Sequence, residues 1–354
     1  MANLLRDPKR IGPLCLGWLV LLPGCSSIGP GTVARDRFDY SQSLAESWKR
    51  QALLNIVKLR YVDPPVYVDV GQIVSGYSLE TDVSVGGGLG SGGDNSLAVG
   101  AGGRFTDRPT ITYTPLTGSR FVRSAMMPLP PDAVFFLIQS GWPADGVLYS
   151  AVASLNGLKN QDATIGGGSP AAPEFLRVLE LLRRIQLSGG VALRIEQDPQ
   201  RQQTTLLAFR RKGITPETLD AIAEVRRLLQ LNPETQEFWL VFGATPANDR
   251  ELAVVTRSSL HMMGMMAAYV EVPPEHITQG RATPGLTPAA PLRIGCSRKE
   301  PGDAFVAVPY RDHWFWIDDR DLKTKRAFAL LTMLFSLGDS GQRESLPLIT
   351  IPAQ

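Results

Sequence analysis

Recognisable catalytic motifs are missing from this chain of 354 residues. It contains three histidines, His261, His276 and His313. The Gly-x-Ser-x-Gly, His-Glu-x-x-His, Ser-x-x-Lys and Cys-x-x-Cys patterns of hydrolases, zinc enzymes and redox enzymes do not occur. The glycine-rich run 86–93 lacks the Lys-Ser/Thr ending of a phosphate-binding loop. These absences favour a protein that is not an enzyme, and they give no reason to expect a cofactor or a metal ion.

An excess of charge of one sign is also missing. The chain has 36 Lys and Arg against 34 Asp and Glu, a formal net charge of +2. Proteins that hold a nucleic-acid backbone carry a surplus of cations that neutralise phosphates. The sequence therefore predicts no nucleic-acid partner.

Long apolar runs are few, and the most informative one lies near the N-terminus. Arg6, Lys9 and Arg10 precede an apolar run of about 12 residues, the length of a secretory signal core. A helix that spans a bilayer needs about 20 apolar residues, so this run is too short to be one. The arrangement predicts a signal peptide over residues 1–24.

The end of that run, Leu22-Pro23-Gly24-Cys25, resembles the lipobox of bacterial lipoproteins. The resemblance implies that Cys25 takes a diacylglycerol and becomes the N-terminus after cleavage. Ser26 stands where lipoproteins of the inner membrane tend to carry Asp, which implies the outer membrane, on its periplasmic side. The membrane partner is thus expected to be reached through a lipid anchor.

Cysteine is scarce, with three in the chain. If Cys15 leaves with the signal peptide and Cys25 is lipidated, Cys296 has no partner for an intramolecular disulfide. Cys296 is expected to be a buried, small apolar residue. An intermolecular bridge and a thiol nucleophile remain as alternatives.

Turn-rich segments divide the rest of the chain. Helical patterns alternate with antiparallel hairpins rather than with regular βαβ units, which predicts an α+β fold, with two domains. A stretch rich in Gly, Ser and Pro at 165–173 is the predicted boundary. The predicted segments are a tether (25–39), a helix and hairpin domain (40–164), an α+β domain (173–272), a Pro-rich linker (273–303) and a C-terminal hairpin and helix (304–354).

Hydrophobic periodicity predicts where the elements lie. Spacings of three and four predict helices at 40–61, 132–140, 142–156, 174–186, 216–230, 250–269 and 322–337. Period-two alternation predicts strands at 66–74, 77–85, 97–105, 110–114, 191–196, 204–210, 238–242, 305–308 and 313–317.

Residues 77–105 alternate apolar and polar side chains along two arms joined by a glycine-rich connector. Each arm has about nine residues, close to the ~9 to 11 that a tilted strand needs to cross a bilayer. A single hairpin cannot close a barrel, so insertion would require several protomers. In that case the lipid-facing positions would be Tyr77, Leu79, Thr81, Val83, Val85, Leu97, Val99, Ala101 and Phe105, with Glu80, Asp82 and Arg104 facing the lumen. The other interpretation is a soluble hairpin packed on its own domain.

The run from His261 to Met266 is rich in sulfur, with methionines at 262, 263, 265 and 266. Thioether and imidazole ligands select Cu(I), so a copper site is one hypothesis. Methionines this close in sequence point around a helix rather than to one side of it. Their spacing therefore favours adaptable core packing.

Aromatic and acidic side chains concentrate at 310–321. Asp318 and Asp319 could bind a hard cation, and Trp314 and Trp316 could stack on a sugar ring. The alternative is a core hairpin followed by carboxylates that cap the next helix. The possible ligand or partner surface consists of Tyr310, His313, Trp314, Trp316, Asp318 and Asp319.

Together these observations predict a lipid-anchored cell-envelope protein with a binding, scaffolding or assembly role. Its expected partner is another envelope protein or a second copy of the chain. One alternative is an oligomeric, membrane-inserting or pore-forming lipoprotein that uses the hairpin 77–105. The other is an envelope enzyme that acts on peptidoglycan or polysaccharide, with 310–321 in its cleft.

Overall fold

The computed structural model describes residues 33–74, 77–89, 95–107, 110–164, 167–197, 203–210, 213–284 and 292–338. These fall into two compact units. The smaller unit comprises the described parts of 1–46 and 70–113, and the larger unit those of 47–69 and 114–354. The predicted signal peptide and Cys25 lie outside the described residues.

The elements confirm the predicted α+β class. The helices are α1 (Val33–Arg60), α2 (Gly118–Phe121), α3 (Pro131–Gln139), α4 (Ala144–Ala151), α5 (Pro173–Leu187), α6 (Pro216–Leu228), α7 (Ser259–Ala267), α8 (Pro274–Thr278) and α9 (Leu322–Gly338), with a π-helical turn at Val122–Met126. The strands are β1 (Val68–Val74), β2 (Tyr77–Leu89), β3 (Asn95–Asp107), β4 (Thr110–Pro115), β5 (Val152–Leu155), β6 (Leu158–Lys159), β7 (Asp162–Thr164), β8 (Gly167–Ser169), β9 (Val191–Gln197), β10 (Gln203–Phe209), β11 (Glu237–Phe242), β12 (Glu251–Thr256), β13 (Gly295–Ser297), β14 (Ala304–Tyr310) and β15 (His313–Asp318). No helix among them is both long enough and apolar enough to cross a membrane.

A six-stranded mixed sheet lies in the larger unit, in the order β6, β5, β12, β11, β10, β9. Strands β11 and β12 run parallel, and the other neighbours are antiparallel. Helix α3 packs against β9, β11 and β12, while α5 packs against α4 and α6. The sheet and these helices share one apolar core.

Helix α5 shows how the sequence builds this core. Pro173 occupies the first helical position, where its missing N–H costs nothing. Phe175, Val178 and Leu182 follow at spacings of three and four and are buried. Gly189, with a φ of 68°, ends the helix because a left-handed residue is least strained as glycine.

A smaller antiparallel sheet places β15 between β13 and β14. The turn between β14 and β15 has two residues, Arg311 and Asp312, with φ values of 48° and 63°. Turns of this left-handed type match the twist of a hairpin. Phe315 and Ile317 of β15 are fully buried, and β15 contacts α9. The predicted hairpin at 305–317 and the helix at 322–337 are both confirmed.

In the smaller unit, β2 and β3 pair in continuous register, from Tyr77 opposite Asp107 to Leu89 opposite Asn95. The predicted hairpin at 77–105 is confirmed and is longer than expected, because Gly86 to Leu89 of the connector belong to β2. Residues 90–94 of the connector lie outside the described residues. Separately, β1 pairs with β4.

The helix predicted at 250–269 is wrong over its first part. Residues 251–256 form β12, and only 259–267 form a helix, α7. Leu252, Ala253 and Val254 are all buried, because β12 is an inner strand of the six-stranded sheet. A strand buried on both faces has no polar alternation, so its apolar run resembles that of a buried helix.

Three further boundaries differ from the sequence-based expectation. The helix predicted at 142–156 ends at Ala151, where the chain enters the sheet as β5. Helix α1 already includes 33–39 of the predicted tether, since no Pro or Gly interrupts residues 33–60. The predicted linker 273–303 contains α8 and β13, and the two compact units divide elsewhere than at 165–173.

Candidate functional site

The six residues of the predicted surface lie along or beside the β14–β15 hairpin, but they do not form one site. Tyr310 and His313 stand opposite each other across the turn. Tyr310 donates a hydrogen bond to the carboxylate of Asp63. His313 instead lines a cavity of about 540 Å³.

Trp314 and Trp316 occupy the other face of the hairpin and are half-buried. Trp316 packs over Gly295, where an added Cβ would lie 2.9 Å from the indole atom Cε2. The indole nitrogen of Trp316 is buried and has no hydrogen-bond partner among the described residues. Sugar stacking requires an open ring face, so the packing of Trp316 does not favour that role.

The carboxylates that follow β15 organise the start of α9. Asp318 accepts a hydrogen bond from the backbone N–H of Arg320 at 2.8 Å, and Asp319 pairs with Lys325 at 2.6 Å. Asp321 accepts two backbone N–H groups from the first turn of α9, both at 3.1 Å. No group of three or more His, Cys, Asp or Glu in the described part of the chain is placed to hold a metal ion.

His313 belongs to a cluster of residues that no sequence pattern links to one another. Its ring meets that of His276 edge to face, with 5.1 Å between ring centres. The Tyr61 hydroxyl lies 2.7 Å from Nδ1 of His276, and the Arg311 guanidinium is 4.9 Å from the Tyr61 ring centre. Glu275 lies 3.6 Å from Nε2 of His313.

Burial favours the neutral forms of several groups in and near this cluster. It raises the pKa of Tyr61 to about 12. It also raises the pKa of Cys296 to about 12, with a further contribution from two nearby carboxylates. The pKa of His276 is lowered, first by burial and then by His313. The Cys296 thiol stays protonated at neutral pH, so it is not an activated nucleophile.

A larger cavity, of about 830 Å³, opens among helices α4, α5, α7 and α9 of the larger unit. We call it the methionine groove. Its size is within the roughly 300 to 1,000 Å³ of small-molecule sites. Its apolar lining includes Leu176, Leu179, Met262, Met265, Met266 and Leu330.

The methionines on α7 are core residues, as their spacing favours. All four are buried. Met263 accepts a hydrogen bond from the Tyr67 hydroxyl at 2.9 Å. His261 lies on the surface and pairs with Asp162 at 3.2 Å rather than with sulfur. One side of helix α7, with Met262, Met265 and Met266, therefore forms the floor of the groove.

The β2–β3 hairpin is a third candidate surface. Its register sets Glu80 opposite Arg104 and Asp82 opposite Gly102, and these four residues are exposed. The intervening positions pair apolar residues, Val83 with Ala101 and Val85 with Val99. Within the described residues, β2 and β3 pair only with each other.

No local signal in the sequence could have revealed the groove or the His276 cluster. Tyr61 and His276 lie 215 residues apart in the chain, and the groove is built from segments between Trp142 and Leu331. Apolar spacing on α5 and α9 predicts a buried face, but it does not distinguish a core contact from a cavity wall.

The chain was also compared with known families, proteins and structures. No protein-family model, characterised protein or solved structure was found to match the chain.

Proposed function

We propose that this protein is a lipid-anchored protein of the cell envelope that acts by assembly, with the β2–β3 hairpin as its interaction surface. The observation that carries the proposal is the pairing of two 13-residue strands with each other alone among the described strands. A two-stranded hairpin by itself is marginally stable in water. A partner that covers it would supply the missing contacts.

The outer edges of β2 and β3 pair with no other described strand, and this favours assembly in particular. Each outer edge presents backbone N–H and C=O groups that a further strand can pair with. Natural proteins usually shorten such edges, yet these extend over 13 residues each. We propose a second copy of the chain as the partner, because identical hairpins offer matching edges and matching apolar faces.

The proposed location in the cell envelope rests on the lipobox-like sequence that ends at Cys25. Replacing Cys25 by Ser should leave unprocessed precursor and abolish incorporation of labelled lipid, since the thiol is the acyl acceptor. Lipid labelling that persists in the Cys25→Ser protein would contradict the anchor. The anchored protein is expected in the outer membrane, facing the periplasm.

Two neighbouring positions in β2 test the assembly. Val85→Glu places a charge on the proposed apolar face, whereas Ser84→Glu places the same charge on the exposed polar face. We expect Val85→Glu to convert assemblies into single protomers in mild detergent, and Ser84→Glu to leave their mass unchanged. Light scattering measures both. Equal masses for the two variants and the unaltered protein would contradict assembly through this face.

A membrane-inserted oligomer is the second candidate function, and the length of the strands favours it. Thirteen residues per strand exceed the ~9 to 11 that a tilted strand needs to cross a bilayer. Glu80 and Arg104, opposite each other, would face the lumen of a shared barrel. Cysteine scanning with a lipid-soluble probe should then give alternating labelling along both strands in membranes. Equal protection of the apolar positions in the soluble and membrane forms would exclude insertion.

A further inference from the structure

The methionine groove has walls from four helices and an apolar floor. Leu176 and Leu179 of α5 face the same cavity as Leu330 and Leu331 of α9. Leu176 is 46% exposed, although it is a large apolar residue in a region of ordered helices. Leu179, Leu330 and Leu331 are each 4% exposed. A concave cavity with a predominantly apolar lining is the usual form of a small-molecule site.

Methionines give this floor an adaptable shape. Met262, Met265 and Met266 line the groove while remaining at most 8% exposed. Unbranched thioether side chains rearrange at little cost and accept ligands of irregular or variable shape. An unbranched hydrocarbon chain is such a ligand.

Three polar side chains in the groove, Tyr149, Gln161 and Tyr269, hydrogen-bond to one another. The Tyr149 hydroxyl donates to Oε1 of Gln161, and Nε2 of Gln161 donates to the Tyr269 hydroxyl at 2.8 Å. A peptide would bring backbone N–H and C=O groups that need partners, and burying them unpaired is unfavourable. A hydrocarbon chain brings no such groups.

Two cations on the rim have no acidic partner among the described residues. Lys323 and Arg326 of α9 line the groove, and no described carboxylate lies within ion-pair distance of either side chain. The acids on the rim are already engaged: Asp145 lies 3.9 Å from Arg183, and Glu180 pairs with arginines at 2.9 and 3.3 Å. The rim therefore favours an anionic group beside the apolar floor.

From these contacts we propose that the methionine groove binds one long-chain carboxylate, a fatty-acid anion. Its hydrocarbon chain lies on the methionine floor, and its carboxylate pairs with Lys323 and Arg326. The proposal stands apart from the proposed assembly, because the groove and the hairpin belong to different compact units.

The test is a binding titration of the full chain with labelled palmitate at low salt. Detergent is first removed from the protein on a hydrophobic resin. Methyl palmitate, with the same chain and no charge, reports the contribution of the carboxylate. Lysophosphatidic acid, with one chain and a phosphate, tests whether a lipid head group is preferred. We expect palmitate to bind at one site per chain and more tightly than either comparison ligand.

Charge removal at the rim is the first variant. Lys323→Gln with Arg326→Gln should weaken palmitate binding about five- to tenfold at low salt and leave methyl palmitate unaffected, because only the ion pairs are lost. Lys299→Gln with Arg250→Gln removes one exposed lysine and one exposed arginine outside the groove. This control should bind palmitate as the unaltered protein does.

Filling the groove is the second variant. Ala327→Phe adds a ring at a half-buried position in the groove wall. It should abolish the binding of palmitate and of methyl palmitate. The thermal midpoint should stay close to that of the unaltered protein. Palmitate binding unaffected by Ala327→Phe would place the ligand elsewhere and overturn the proposal. The proposal is also overturned if lysophosphatidic acid binds more tightly than palmitate, if methyl palmitate binds equally well, or if palmitate does not bind at all.

Discussion

At the scale of single residues, His276 links folding to pH. The residue is 4% exposed, and its pKa is lowered from the ordinary 6.5 by burial and by His313, Arg281 and Arg311, against the opposing effect of Glu275. A histidine with a lowered pKa in the folded state stabilises that state fully above pH 6.5. The contribution is lost as the pH falls from 6.5 through the folded-state pKa, because the unfolded chain takes up the proton first.

We therefore expect the free energy of unfolding to fall between pH 7 and pH 5.5, and less steeply in His276→Asn. The asparagine carboxamide can still hydrogen-bond to Tyr61, whose hydroxyl lies 2.7 Å from Nδ1 of His276, because it offers both a donor and an acceptor. Urea unfolding at each pH measures the difference. The exposed His261→Asn is the control. Equal pH slopes in the unaltered protein and His276→Asn would contradict this assignment.

Arg257 is a second buried residue with a measurable structural role. It is 2% exposed, and burial lowers its pKa to about 10, so it remains charged at neutral pH. Its guanidinium donates to the carbonyls of Tyr149 and Ser150 at 2.7 and 3.0 Å and to that of Gln161. The first two carbonyls are at the C-terminal end of α4, where they have no partner within the helix.

Replacing Arg257 by Leu should lower the free energy of unfolding by about 3 kcal/mol, because three part-buried carbonyls lose a charged donor. Chemical denaturation measures the loss. Arg250→Gln, at an exposed position, should change stability by less than about 0.5 kcal/mol. A similar small loss for both variants would show that water replaces the Arg257 guanidinium.

At the scale of elements, α9 is a core helix, as its apolar stripes predict. Phe328, Leu331 and Leu334 are all buried, and Phe328 meets Phe305 of β14 edge to face at 6.2 Å. Leu334→Ala is therefore expected to cost about 2 to 5 kcal/mol of unfolding free energy, the range for large-to-small changes in a packed core. Leu322→Ala, 59% exposed at the start of α9, should cost far less. Equal unfolding midpoints for the two variants would contradict the core role.

The elements also show which patterns can be interpreted from sequence. Strand β15 was predicted correctly because its buried Phe315 and Ile317 alternate with half-buried tryptophans. The pattern of strand β12 instead predicts a helix, because an inner strand that is covered on both faces is apolar throughout. The difference lies in the environment that the fold supplies and not in the strands' local propensities.

At the scale of the whole molecule, the two compact units predict separable folding. The backbone N–H of Leu116 donates to the carbonyl of Tyr67 at 2.9 Å, so the chain closes on itself on either side of the segment 70–113. Replacing residues 70–113 by a short Gly-Ser linker should leave the larger unit with a cooperative thermal transition. Calorimetry measures it.

The matched control removes a hairpin that belongs to the six-stranded sheet. Excision of β9 and β10 exposes β11 and removes the buried Leu207 and Phe209 from the core, so we expect that variant to lose its cooperative transition. A cooperative transition lost in both variants would show that the larger unit depends on the segment 70–113.

The sequence by itself determined the features that a few neighbouring residues encode. These features are the lipobox-like sequence that ends at Cys25, the alternation at 77–105, the stripes of α9 and the α+β class, and all depend on short-range patterns in the sequence. The tertiary structure alone decided the burial of β12, the meeting of Tyr61 with His276 and the shape of the methionine groove. These depend on the path of the chain between residues up to 215 positions apart, and no local pattern records that path.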